Sequence, residues 1–272
     1  MTGAHHADKR RMRHRLSLSA CGVLLALIAT PAAAQAPNDQ IVELGLTFFR
    51  PSPELTLSTD ALAGSSINEI DFVQEFGIED KSFPQFRAAL GRSHKFRVSY
   101  VKFSYDQDAV IRRTFTFQGR TFTINTPATA DITWDLWTLG YEWDFVSRDQ
   151  GYVGVIADLK YNKVEAAITS PALASAATAD TTAPVPTIGV VGRGYLGSMV
   201  SVGGEFGGLK ISSGDFDVKF TDFDINATII PFPRIGIGAQ VGYRSVIADY
   251  IVDEDTGDLK MQGAYFGFIA RF

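Results

Sequence analysis

The stretch Ile235-Gly236-Ile237-Gly238-Ala239-Gln240-Val241-Gly242-Tyr243-Arg244 alternates without a break. Ile235, Ile237, Ala239, Val241 and Tyr243, with Ile247 beyond, fall on one face. Gly236, Gly238, Gln240, Gly242 and Arg244 fall on the other. A repeat of two is that of a β-strand, whose side chains leave opposite faces in turn, whereas a helix repeats every 3.6 residues. The stretch therefore predicts a strand with one greasy and one polar face.

Working outward, the same repeat recurs along the chain. Val153, Val155, Ala157, Leu159 and Tyr161 oppose Gly154, Ile156, Asp158, Lys160 and Asn162. Val42, Leu44, Leu46 and Phe48 oppose Glu43, Gly45 and Thr47. Ten segments follow this rule: roughly 40–50, 83–92, 95–106, 130–146, 151–168, 185–195, 198–211, 216–230, 234–250 and 258–272. Short connections (93–94, 147–150, 196–197, 231–233) take turns with longer ones (51–82, 107–129, 169–184, 212–215, 251–257). That rhythm predicts an all-β, antiparallel, up-and-down transmembrane barrel with short periplasmic turns and long outer loops. Glu54–Ser58 and Ile67–Phe76 are further candidate strands within 51–82, which would raise the count from ten to twelve, while dissolving a weak pair gives eight. The count stays even in each version.

Three segments switch phase. Phe96, Val98 and Tyr100 give way to Val101, Phe103 and Tyr105. Ile132, Trp134 and Leu136 give way to Trp137, Leu139, Tyr141 and Trp143. Phe216, Val218 and Phe220 give way to Phe223, Ile225, Ala227 and Ile229. Each switch marks either a β-bulge or the point where a strand leaves the lipid.

The longest continuously apolar or small stretch is Cys21–Ala34, shorter than the ~20 residues a membrane helix needs. Lipid offers the backbone no hydrogen bonds, so a chain without such a helix crosses it only as a closed sheet. The greasy faces then meet lipid, with Trp143, Phe145, Phe232 and Phe272 expected at one interface and Trp134 toward the other rim. The polar faces enclose the lumen, with Glu43, Arg87, Arg97, Glu142, Asp158, Lys160, Glu205, Arg244 and Arg271 pointing inward. Charges of both signs in a narrow barrel are expected to pair and fill it, leaving at most a narrow channel.

The end Ala264-Tyr265-Phe266-Gly267-Phe268-Ile269-Ala270-Arg271-Phe272 resembles the closing strand of bacterial outer-membrane proteins, which finish in Phe with apolar residues at every second position before it. The resemblance covers residues 40–272 as architecture and is closest in size to the small OmpA/OmpW type. It implies a cell outer-membrane location, contact with membrane lipid and lipopolysaccharide, and a monomer. It also implies that the barrel assembly machinery reads the last strand through Phe268 and Phe272.

The first 34 residues read as a cleaved secretory signal. Lys9, Arg10, Arg11, Arg13 and Arg15 precede the apolar run Val23–Ala29, and Ala32-Ala33-Ala34 places the cut between Ala34 and Gln35. Leu18-Ser19-Ala20-Cys21 matches a lipobox, but there the apolar core would have to precede the cysteine, and here it follows. The domain expected is 35–272. Residues 1–34 hold five of the 25 basic residues and one of the 30 acidic ones, which leaves 20 against 29 and a net charge of −9. That balance argues against nucleic acid as a partner. Cys21 is the only cysteine, so disulfide and thiol chemistry are absent after cleavage.

No motif points to an enzyme or a cofactor. Gly192-Arg193-Gly194-Tyr195-Leu196-Gly197 has the GxGxxG spacing, but a strand follows it where a dinucleotide site needs a helix. The one histidine outside the leader, His94, falls in a periplasmic turn, the wrong end for outer-leaflet lipid chemistry. Asp253, Glu254, Asp255 and Asp258 form an acidic outer loop in which Gly257 and Ala264 are misplaced for a calcium loop, with Asp215 and Asp217 a second candidate; the two loops read as solvated or as sharing divalent cations with lipopolysaccharide phosphates. Residues 109–125 read as a projecting hairpin whose aromatics either meet a partner or pack on 51–82. The Ala, Thr, Ser and Pro of 169–184 read as a mobile loop. The expected role is a non-enzymatic envelope barrel, structural or passing small solutes. A lipid-modifying barrel enzyme and a surface adhesin are the alternatives.

Overall fold

The computed structural model describes residues 40–58, 69–213, 216–252 and 255–272. The leader, its cleavage site at Ala34 and Gln35, Asp215, Asp253 and Glu254 lie outside the described residues.

Ten long strands close into an antiparallel barrel: β1 (Val42–Ser58), β3 (Phe83–Gly91), β4 (His94–Val110), β7 (Pro127–Arg148), β8 (Gly151–Ser170), β9 (Ser175–Leu196), β10 (Val200–Ser213), β11 (Phe216–Phe232), β12 (Ile237–Val252) and β13 (Asp255–Arg271). Each pairs with the next in this order, and β13 closes on β1 from Glu43↔Arg271 to Ser58↔Thr256. Closure leaves no free edge where the barrel crosses lipid, so every ladder group finds a partner. Among the described residues no helix is long and apolar enough to cross a membrane.

The strands outrun the segments expected from sequence. β7 and β9 have 22 residues each and β8 has 20. The belt of outward apolar side chains uses only part of that length. On β7 it runs from Trp137 to Phe145, and on β8 from Val153 to Tyr161. Nine residues at ~3.3 Å each, tilted ~40°, make a band about 23 Å tall, close to the ~25 Å of membrane barrels. Beyond the belt the strands continue as a tower whose outer wall is polar. On β7 that wall shows Asp135, Thr133 and Asp131; on β4 it shows Lys102, Ser104, Asp106 and Asp108.

This tower explains the three phase switches. The pairing registers run without a shift through Tyr100/Val101, Leu136/Trp137 and Phe220/Phe223. Inward and outward positions never slip. What inverts is their chemistry: greasy outward in the lipid, greasy inward above it. The register irregularities lie elsewhere, between Trp143 and Val146 and between Ile229 and Phe232, beside the short turns. Trp134 is therefore not a girdle residue. It is 1% exposed, inside the tower, donating its indole N–H to Asn162 Oδ1 at 3.1 Å. Trp143, Phe145 and Phe232 do face outward near the short turns.

The loops expected at 51–82, 107–129 and 169–184 are largely wall and core. β1 and β4 extend upward, and 169–184 forms the tops of β8 and β9 around one 3₁₀ turn, Pro171–Leu173. Above β3 the wall is completed by β2 (Glu69–Asp71), which pairs with the top of β1, and the short helix α1 (Phe72–Phe76). Asp71 caps α1 by accepting from the Gln74 N–H, and Gly77, at φ +68°, ends it. The hairpin of β5 (Phe115–Phe117) and β6 (Arg120–Phe122) does not project its aromatics. Phe115, Phe117 and Phe122 are buried in the core, and Phe117 packs edge-on against Phe72.

Candidate functional site

The barrel interior has two storeys. The lower one, at the level of the lipid belt, is ionic. The Arg193 guanidinium grips Glu43 with two bonds (2.5 and 2.9 Å), and Arg271 Nε reaches the same carboxylate at 2.8 Å. Lys95 donates to Glu142 and Asp144, while Arg97 joins Glu142 and Glu205. Asp222 accepts from Lys160 at 2.7 Å and from Arg244 at 3.1 and 2.8 Å. Asp224 accepts from Arg87 at 2.6 Å and from the Tyr265 hydroxyl at 2.8 Å. Most of these groups are largely withdrawn from bulk water, and each is held by a counter-charge or hydrogen bonds. With Asp158 beside Lys160, the chamber holds seven cations and seven acids. It keeps a cavity of about 110 Å³, lined toward the short turns by Ile41, Arg92 and Ser147. It is therefore a vestibule on the short-turn side.

The upper storey is apolar and packed, apart from small pockets. Phe49, Phe83, Phe103, Trp134 and Leu136 form its lower layer, and Ile70, Phe72 and Phe117 stand above. Phe103 sits between Phe49, Phe83 and Trp134, with ring centroids 5.3–6.0 Å apart. The storeys meet where Lys160 approaches the Phe220 ring and Arg87 the Tyr265 ring, each 5.4 Å from the centroid. Gln85, fully buried at this boundary, lies with its amide within hydrogen-bond reach of the Arg87 and Arg244 guanidinium groups, from which its oxygen can accept.

The nine charges expected inside, Glu43, Arg87, Arg97, Glu142, Asp158, Lys160, Glu205, Arg244 and Arg271, all stand in this lower chamber. Sequence reading missed Lys95, Asp144, Arg193, Asp222 and Asp224. Parity was enough to find four of them. Lys95 is two residues before Arg97, Asp144 is two after Glu142, and Asp222 and Asp224 alternate with the lipid-facing Phe223 and Ile225. Arg193 was hidden inside the glycine-rich motif, whose true context is the end of β9; Gly197, at φ +78°, opens the turn. His94 lies at the short-turn end, where Nδ1 and the Tyr141 hydroxyl share a hydrogen bond and the ring stacks on Trp143. Phe268 faces lipid, and Phe272 follows β13 beside Val42, with which it exchanges backbone hydrogen bonds.

No family model matches the sequence, and no curated protein matches it. Solved structures match the fold. The outer-membrane protease OmpT of Escherichia coli superposes with a TM-score of 0.55 at 9% identity, covering 89% of this chain and 100% of that one. The translocator domain of the autotransporter NalP from Neisseria meningitidis gives 0.40 at 12% identity over 98% of each chain. Ail of Yersinia pestis gives 0.37 at 9% identity, covering 84% of this chain and 99% of that one. The chain thus has the fold of a ten-stranded barrel of the outer-membrane type, girdled by an apolar belt of lipid-facing side chains.

Proposed function

We propose that this chain is a non-enzymatic, non-conducting barrel that stiffens the outer membrane and carries a rigid polar tower above it. The observation behind this reading is the apolar upper storey. An ion crossing the lumen would leave the charged vestibule and meet Phe49, Phe103, Trp134 and Phe220, each no more than 1% exposed. Moving a bare charge into such a layer costs far more than thermal energy supplies. The lipid-modifying alternative calls for a hydroxyl–imidazole pair at the outer end, whereas His94, the one histidine among the described residues, lies at the other end.

The partner outside is outer-leaflet lipid, including lipopolysaccharide. Among outward residues, Arg50, Lys102 and Lys163 stand directly above the last apolar positions of the belt, on the side of the anionic headgroups, with Lys210, Lys219 and Lys260 higher on the wall. The exposed Phe268 and the terminal Phe272 are the features the assembly machinery would read, and a self-contained ion network suits a monomer.

Single-channel recording on purified protein in planar bilayers tests the reading. A flat trace at both polarities is the expected result. Stepwise openings would replace it with the narrow-channel reading.

A further inference from the structure

The barrel wall has an unpaired seam. β9 pairs with β10 from Leu196↔Val200 only as far as Ile188↔Gly208. Above that point β9 continues to Ser175, paired on its other side with β8. β10 continues to Ser213, paired only with β11. The two tops therefore present open edges to each other.

The sequence stabilises those edges as edges. The Tyr195 N–H donates toward β8, to Gln150 O at 2.8 Å. Donors alternate sides along a strand, so odd positions of β9 turn to β8 and even positions to β10. Pro184 and Pro186 are even. They remove no bond from the β8 ladder, and they leave the β10-facing edge without two donors. Across the seam Lys210 points outward, 61% exposed. Proline and lysine are the residues that keep an edge from zipping up. Just below, glycines hold β10 tightly against its neighbours: a Cβ on Gly189 would stand 2.3 Å from Phe206 O, and one on Gly208 2.6 Å from Phe220 O.

A small apolar pocket of about 30 Å³ lies behind the seam. Ala183 and Val185 of β9 line it on one side and Val218 and Phe220 of β11 on the other, with no β10 residue in the lining. Trp134 and Leu259 close its back. The last outward residues below the seam, Ile188 and Phe206, belong to the lipid belt. The seam therefore begins where hydrocarbon gives way to headgroups.

We propose that the β9–β10 seam admits an alkyl chain from the outer leaflet, whose end seats in this pocket against Trp134, Val185 and Phe220. Of the polar residues in its lining, Asn162 is already bonded to Trp134, Lys160 and Ala183, and Asp249 to Lys219, so a pocket of this size suits a methyl or methylene end, which enters in single file. The chain is that of a membrane lipid or of a free fatty acid, and the test separates the two.

Trp134 reports on its own pocket. With Trp137→Phe and Trp143→Phe it becomes the single tryptophan. In one arm this variant is placed in nanodiscs of phosphatidylcholine brominated on its acyl chains. In the other, free dibromostearic acid is added to the variant in unbrominated discs. Loss of most Trp134 emission in either arm, relieved by Val185→Phe, is the expected result. The lipid arm names the leaflet as the source, and the acid arm alone names a solute. If Val185→Phe does not fold, as read by heat-dependent gel mobility, Leu259→Phe fills the pocket from β13. Unquenched emission in both arms, or quenching that the filled variant leaves unchanged, overturns the proposal.

Discussion

Leu136 and Trp137 are neighbours in the chain and stand on opposite sides of the barrel wall, in opposite solvents. Leu136 is 1% exposed within the apolar core of the tower, and Trp137 is 43% exposed on the lipid side. Below this pair β7 is greasy outward, and above it β7 is greasy inward. A one-residue boundary suffices because a strand changes face at every step.

Substitutions on the two faces should separate accordingly. Tyr243→Asp and Phe268→Asp place a carboxylate in the lipid belt, and assembly into the membrane should fail, read by loss of the heat-modifiable band. Gln240 is inward and buried, and its amide donates to Asn226 and Thr228 at 3.2 Å. Gln240→Asp should still assemble, losing about 1–3 kcal/mol for the stranded partners. Equal failure at all three positions would mean that the faces are reversed.

The period-two repeat made the barrel, its strand count and its lumen legible in sequence. The tower was not, for a physical reason. Its strands carry the same alternation with inverted polarity, so Val101, Phe103 and Trp134 read as slips of the pattern. At 169–184 both faces are small or weakly polar, Ala177 and Ala179 inside and Thr178 and Asp180 outside, so no alternation of hydropathy exists to be seen. The ionic chamber was half legible. Parity placed nine charges, but their pairing joins residues as distant as Glu43 and Arg193, and only the closed barrel brings these together.

The triad Lys160–Asp222–Arg244 is the most buried ion cluster, with each side chain under 5% exposed. Asp222→Asn strips the shared anion from two buried cations. Loss of one partner from a buried pair costs about 3–5 kcal/mol, so the urea midpoint of refolded protein should fall sharply. Glu54→Gln breaks an exposed pair with Lys260 and should change stability by about 1 kcal/mol or less. Comparable effects of the two would show that the chamber is well hydrated.

Phe117 ties the β5–β6 hairpin to α1. It is fully buried and packs on Phe72 at a centroid distance of 6.0 Å. Phe117→Ala should cost about 3–5 kcal/mol, the usual range for a large core aromatic. The loss should be local. External protease should begin to cut within 111–126 while the belt stays resistant. Unchanged resistance would mean that the hairpin is held by its backbone alone.

Asp131 faces Asp106 directly across the β4–β7 ladder on the outer wall of the tower, above the lipid belt, with Asp108 close by. Partial burial and then these two carboxylates raise the Asp131 pKa above its usual 3.8. The sign follows from linkage. The folded state holds the Asp131 proton more readily than the unfolded chain does, so the ionised group opposes folding at neutral pH. That penalty fades as the pH falls through the raised value. Asp131→Asn should therefore stabilise the protein at neutral pH by about 0.2–1 kcal/mol, the range for one like-charge pair across strands. The gain should shrink toward zero as the wild-type carboxyl protonates, which urea titrations at several pH values would track. A gain that stays constant with pH would assign it to packing of the amide and not to relief of charge.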